Sequence, residues 1–229
     1  MKYQDRTDAG RNLAAWLRTY IGQPNVIVLA LPRGGVPVAY EIAHALHLPL
    51  DVFLVRKIGV PLHPELAMGA IAEGGVHVLN QHIIDEARIL PSTVDHVIAR
   101  QRMEMERDDR RYRRGRALRP LKGWSVILVD DGLATGATME AAVRALRELT
   151  DGRIIVAAPV GAPDTCQRLR HIADDVVCPF IPDAFSAVGL WYRHFDQTTD
   201  DEVRRLLDLA ADPLATSDTP PASAPHAST

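Results

Sequence analysis

Short apolar runs recur along this chain, and segments of helical period lie between them. The runs are NVIVLAL (25–31), DVFLV (51–55), WSVILV (124–129), RIIVAAPV (153–160) and DDVVC (174–178). None shows the in–out alternation of a half-solvated strand. Strands apolar on both sides need a covering layer on each face, which predicts a parallel sheet between helices. Residues 7–20 have helical spacing, with Leu13, Trp16, Leu17 and Tyr20 on one face. So do 36–47, through Val38, Ile42, Ala45 and Leu46. After residue 136 the face is Met139, Ala142, Val143, Leu146 and Leu149, and further helices are predicted over about 164–172 and 200–210. AMGAIA and VHVLN, flanking EGG at 73–75, predict a hairpin. Two more helices are predicted over 81–90 and 93–116.

With 229 residues, 47% of them hydrophobic, the chain can build one sizeable core or at most two small ones. A formal charge of −3 argues against broad binding to nucleic acid or a membrane surface. Cys166 and Cys178 fit no zinc spacing and read as core residues of a reducing compartment. The polar N-terminus shows no signal-peptide run, and no stretch approaches the roughly 20 apolar residues of a membrane span. A cytoplasmic protein is expected. Residues 212–229, rich in Pro, Ala, Ser and Thr, are expected to be a disordered tail after a domain of residues 1–211.

In parallel sheets, ligands bind outside the carboxyl ends of the strands. The exit after residue 129 is the most informative, in VILVDDGLATGATM (126–139). Asp130 and Asp131 emerge where an unused buried carboxylate pair would be costly. Gly132 and Gly136 permit tight turns. Ala134, Thr135, Gly136, Ala137 and Thr138 bring backbone amides and two hydroxyls to a helix N-terminus, a site for a phosphate dianion. A phosphate cradle beside carboxylates that accept from a diol describes a ribose 5-phosphate site. As an ordinary turn, the same residues would simply cap the helix.

The string resembles the phosphoribosyl pyrophosphate (PRPP) signature of type I phosphoribosyltransferases. The resemblance covers roughly residues 10–210 and implies a Rossmann-like α/β fold. That fold has a parallel sheet of about five strands flanked by helices, a small hood, and a flexible β-hairpin loop. It implies hood elements near 1–20 and 179–196, with the helices of 81–116 as an insertion. It also implies that Asp130 and Asp131 bind the ribose hydroxyls and serve Mg²⁺, while Ala134–Thr138 cradle the 5′-phosphate. The Ala before Thr-Gly is similar to adenine phosphoribosyltransferases. The first exit, LPRGGVPVA (31–39), instead resembles the Arg-Gly-Gly form of the xanthine-guanine enzymes. In the family, Arg33, Gly34 and Gly35 would form the pyrophosphate loop, often with a non-proline cis peptide.

After the second strand, Arg56 and Lys57 would meet pyrophosphate oxygens. Residues 58–80 would be the lid that excludes water, with Glu65, Glu73 and His63 as acid/base candidates. The fifth exit (179–195) would form the hood over the acceptor, where Phe180, Phe185, Trp191 and Tyr192 offer rings for stacking. PVGAPD (159–164) would floor the pocket. Catalysis would rest on Arg33, Lys57, Asp130 and Asp131.

Residues 95–119 hold nine arginines. The carboxylates of Asp95, Glu104, Glu106, Asp108 and Asp109 lie among them at helical spacing, which favours a solvated helix or dimer contact over a nucleic-acid surface. His44 and His47 have no evident third ligand for a metal. The expected protein is therefore a Mg²⁺- and PRPP-dependent transferase acting on a nitrogen acceptor, in particular a purine-like base, and working as a homodimer. A sensor of PRPP or nucleotides with the same fold, one that could bind nucleic acid through the arginine-rich helix of 95–119, is the alternative from another class, and an enzyme using another amine is a third reading.

Overall fold

The computed structural model describes residues 2–61, 63–114 and 116–211. The expected tail, 212–229, lies outside the described residues. In chain order the elements are α1 (Arg6–Ala14), β1 (Val26–Ala30), α2 (Gly35–Leu46), β2 (Leu50–Val52), β3 (Val55–Val60), β4 (His63–Ala72), β5 (His77–Leu79), α3 (Gln81–Glu86), α4 (Pro91–Arg113), β6 (Ser125–Val129), α5 (Ala137–Leu149), β7 (Ile154–Ala157), α6 (Pro163–Leu169), β8 (Asp175–Val177) and α7 (Asp200–Ala211).

Five strands form a parallel sheet in the order β2-β1-β6-β7-β8. Its apolar runs serve two cores at once. Val26, Val28 and Ala30 of β1 face α1, α2 and α7, together with Ile127 and Val129 of β6. Ile27 and Leu29 face the other way with Val126 and Leu128, under Met139, Ala142, Val143 and Leu146 of α5 and Leu169 of α6. Burial of each large side chain contributes about 1.5–3 kcal/mol. The face predicted for α5 is the buried one, except that Leu149 is only half-buried.

Chain order reverses between β1 and β6, since β1 continues to β2 on one side while β6 continues to β7 on the other. Ala30 pairs with Val129 in register. The two loops singled out in the sequence therefore leave adjacent strands at the sheet's switch point, where a crevice opens.

Three expectations change. The helix predicted over 7–20 is α1 followed by a 3-10 segment, Ala15–Tyr20. Its tighter winding turns Trp16 out, to 66% exposure, while Leu17 stays buried. The strand expected over 51–55 is divided. Leu50–Val52 belongs to the parallel sheet, and Val55–Val60 starts an antiparallel ribbon β3-β4-β5. Arg56 and Lys57 thus lie on a strand of a three-stranded unit instead of in a loop, because backbone pairing overrides a sequence pattern broken by charge and Gly59. Finally, α4 is not a fully solvated helix. Its side chains Val94, Met105, Tyr112 and Arg113 are buried.

Candidate active site

Asp130 and Asp131 follow β6 directly and are largely enclosed. Asp130 Oδ1 accepts from the Asp131 amide at 2.8 Å, fixing the turn. Burial pushes the Asp130 carboxyl well above the ordinary aspartate range, and the neighbouring Asp131 adds to it. Burial raises Asp131 as well, against the pull of Arg6. Arg6 donates through Nε to Asp131 Oδ2 at 2.8 Å and through Nη1 to the Asp196 carbonyl at 2.7 Å. Its guanidinium lies 3.9 Å from the centroid of the Phe195 ring. Sequence reasoning missed Arg6, and no local signal pointed to it, because the partner carboxylate is 125 positions away.

The loop after β1 packs directly on this pair, and its two glycines are required there. A Cβ on Gly34 would lie 2.1 Å from Asp131 Oδ2. One on Gly35 would lie 2.7 Å from the Val129 carbonyl oxygen and 3.0 Å from Asp130 Cα. The Pro32–Arg33 peptide is cis, as the family resemblance implied.

The third wall is the start of α5. Gly136 takes φ +75° at the N-cap, a left-handed conformation that suits glycine, and a Cβ there would strike Thr165 Cγ2 at 2.4 Å. Thr165 donates to the Ala134 carbonyl and Arg168 to the Thr135 carbonyl, which ties the loop down from behind. Ala134, Thr135, Ala137 and Thr138 remain exposed. The first amides of a helix have no intrahelical partner, so this loop presents donors outward.

Beside these elements, a cavity of about 370 Å³ is bordered by Pro32, Arg56, Lys57, Asp108 and Thr138. The fold thus joins the ribbon, the loop after β1 and the start of α5 around one space. The Arg33 side chain lies outside it. It borders a second cavity of about 390 Å³, with Arg111, Asp200 and Arg204. The arginine-rich helix α4 links the two. Asp108 pairs with Arg56 at 2.5 Å and with Arg111 at 3.8 Å. Asp200 then takes Arg111 at 3.0 Å, Arg33 at 3.8 Å and the Tyr112 hydroxyl at 2.9 Å. Several arginines expected to face solvent are therefore committed to carboxylates near the site.

The hood forms where the N-terminus pairs with residues 191–193. Tyr3 N donates to the Trp191 carbonyl, and Arg193 N to the Tyr3 carbonyl, both at 2.9 Å. Phe180, Phe185 and Trp191 cluster, with Trp191 edge-on to Phe180 at 4.9 Å and near-parallel to Phe185 at 6.5 Å. Tyr192 is turned inward, 4% exposed against Tyr3 and Phe195, and its hydroxyl donates to the Asp131 carbonyl at 2.6 Å. Residues 159–164 lie beneath the Asp-Asp loop, with Leu133 N on the Val160 carbonyl and Ala162 N on the Leu133 carbonyl. Of the acid/base candidates, Glu73 is buried on the far side of the ribbon's base, His63 is exposed, and the Glu65 side chain lies outside the described residues.

Among the described residues, no three His, Cys, Asp or Glu side chains cluster to hold a metal ion. Two adjacent carboxylates do suit Mg²⁺ that keeps several waters and takes further oxygens from a phosphorylated ligand. No described helix is long and apolar enough to cross a membrane.

The phosphoribosyl transferase domain model matches residues 2–190. Two Mycobacterium tuberculosis proteins, from strains CDC 1551 and H37Rv, are named only provisionally as phosphoribosyl transferases. Each is 48% identical to this chain over 208 residues. The match covers 91% of this chain and 47% of theirs, so the chain spans about half the length of these curated relatives. The crystal structure of TT1426 from Thermus thermophilus is 43% identical, covers 90% of this chain and 98% of that one, and superposes with a TM-score of 0.81. The crevice at the switch point and these likenesses agree, and the chain belongs to the phosphoribosyl transferase domain family.

Proposed function

We propose that this chain transfers the 5-phosphoribosyl group of PRPP to a nitrogen acceptor, in particular a purine-like base, and releases pyrophosphate. The observation that carries the reading is the close packing of Gly34 and Gly35 on the Asp130–Asp131 pair beside the exposed start of α5. This arrangement offers three adjoining subsites of matching chemistry. The raised carboxyls of Asp130 and Asp131 call for donors, and the vicinal ribose hydroxyls supply them. The amides and hydroxyls of Ala134–Thr138 suit the 5′-phosphate. The amides of Gly34 and Gly35, with Arg56 and Lys57, suit the pyrophosphate.

Bound Mg²⁺ would supply positive charge to the departing pyrophosphate, with Asp130 and Asp131 as its protein-side carboxylates. The bond from C1′ to the pyrophosphate oxygen breaks and one from C1′ to the acceptor nitrogen forms. Fixed donors and cations aimed at the leaving group provide the electrostatic stabilisation. The Arg33 guanidinium, 3.8 Å from Asp200 at the neighbouring cavity, would have to turn from that contact to reach the pyrophosphate. Phe180 and Trp191 would stack on a planar acceptor, and Trp191 Nε1 is buried without a hydrogen-bond partner among the described residues. Tyr192 supports the Asp131 turn. A homodimer of a domain spanning 1–211 belongs to the same reading.

A pyrophosphate-release assay with PRPP, Mg²⁺ and a panel of purine and pyrimidine bases tests it. Release that depends on one class of base is expected. Release with none of the panel, by a protein that still binds PRPP, would overturn the base-transfer reading.

A further inference from the structure

A separate cavity of about 570 Å³ lies between α4, the segment 117–122 and the turn joining β4 to β5. It shares no residue with the Asp130–Thr138 loop or with Gly34 and Gly35. Its size is that of a single small-molecule site. Met105 and Leu118 are among the apolar side chains of its wall, and three cations, Arg102, Arg119 and Lys122, stand around it. All three are exposed, and none has a carboxylate within ion-pair distance among the described residues. Arg119 instead lies over the Trp124 ring at 4.5 Å.

The back of the cavity is acidic. Glu73 lines it at 8% exposure. Its Oε1 accepts from the Leu54 amide at 2.9 Å and from Arg113 Nη1 at 2.8 Å. Its Oε2 is buried and accepts no hydrogen bond among the described residues. A buried acceptor without a partner has lost its hydration with nothing in return, and a ligand donor would relieve that.

We propose that this cavity binds a nucleotide, with its phosphate at Arg102, Arg119 and Lys122, its base along the apolar wall, and an amino group of the base toward Glu73. The juxtaposition selects that class. Unpaired cations call for an anion, and the apolar wall calls for a flat or greasy body. A hydrocarbon tail would leave Glu73 Oε2 without a donor, whereas the amino-bearing edge of a base provides one. Binding here needs nothing from the transferase reading.

The test is calorimetric titration of the full chain with AMP, GMP, CMP and UMP, alongside two variants. Arg102→Ala with Lys122→Ala removes two exposed cations and should leave the fold intact. Each charged hydrogen bond lost weakens binding roughly tenfold or more. Leu118→Trp, which fills the cavity, is the second variant. We expect at least one nucleotide to bind, to weaken about tenfold or more in both variants, and to bind undiminished at this site in Asp130→Asn with Asp131→Asn. Unchanged binding in both cavity variants, or binding lost only in the Asp-pair variant, would overturn the proposal, as would no binding by the unmodified chain.

Discussion

Glu73 and Arg113 show how one buried side chain fixes a joint. Arg113 is 3% exposed and donates to Asp51, Glu73, Asp109 and the Val52 carbonyl. Asp51 and Val52 end β2 and Glu73 follows β4, so the guanidinium ties α4 to the origin of the ribbon. Burial pushes the Glu73 carboxyl up to about 7, with Asp51 adding slightly, although Arg113 and the Leu54 amide pull it down. A carboxyl raised in the folded state contributes stability that is fully present below its unfolded value of about 4.5 and is lost as pH rises through about 7. Glu73→Gln keeps the acceptor for Leu54 and removes the titration. Its melting temperature should fall less than that of the unmodified protein between pH 5 and about 8. Parallel melting curves across that range would show that Arg113 carries the pair without a burial cost.

At the scale of elements, α4 contributes more to the site than its composition implied. Asp108 holds Arg56 and Arg111, and Asp200 on α7 holds Arg111 and Arg33. Both partners of the Arg56–Asp108 pair are partly solvated, so it adds about 0–1 kcal/mol to stability. Its larger effect should be on position. Asp108→Ala is expected to leave the melting temperature nearly unchanged and to raise KM for PRPP about fivefold, equivalent to about 1 kcal/mol. An unchanged KM would mean that Arg56 needs no help from α4.

The same contrast explains what could be read in advance. The sheet, α2, α5 and the Asp-Asp loop were legible because period, burial and turn chemistry agree locally in each. The strand β3 was not, because Arg56, Lys57 and Gly59 hide a pairing that only β4 makes evident. Arg6, Asp108 and Asp200 were invisible as site residues, because each earns its place through a partner far away in sequence. The interleaved charges of 95–119 correctly pointed to ion pairs. Helical spacing could not show that several of the partners lie on other elements.

For the whole molecule, the topology explains why chemistry concentrates in one place. The two cores cover both faces of the sheet, so carboxyl-end loops are the parts left to vary. Reversal between β1 and β6 sets two of those loops side by side, with the ribbon and the hood on either flank. In the proposed function, the Asp130–Asp131 pair at this reversal binds the ribose of PRPP. Asp130→Asn with Asp131→Asn retains side-chain oxygens for the Asp131 amide and for Arg6, and it removes two carboxyls that burial disfavours in their charged form. The variant should therefore stay folded, with a melting temperature no lower than that of the unmodified protein. Mg²⁺ and the ribose hydroxyls would favour the charged carboxylates, which Asn cannot supply, so PRPP should bind at least about 100-fold more weakly. The measurement is calorimetric titration of PRPP with Mg²⁺ into both proteins. Loss of binding by a folded variant is the predicted result, and equal affinity in the two proteins would contradict the assignment.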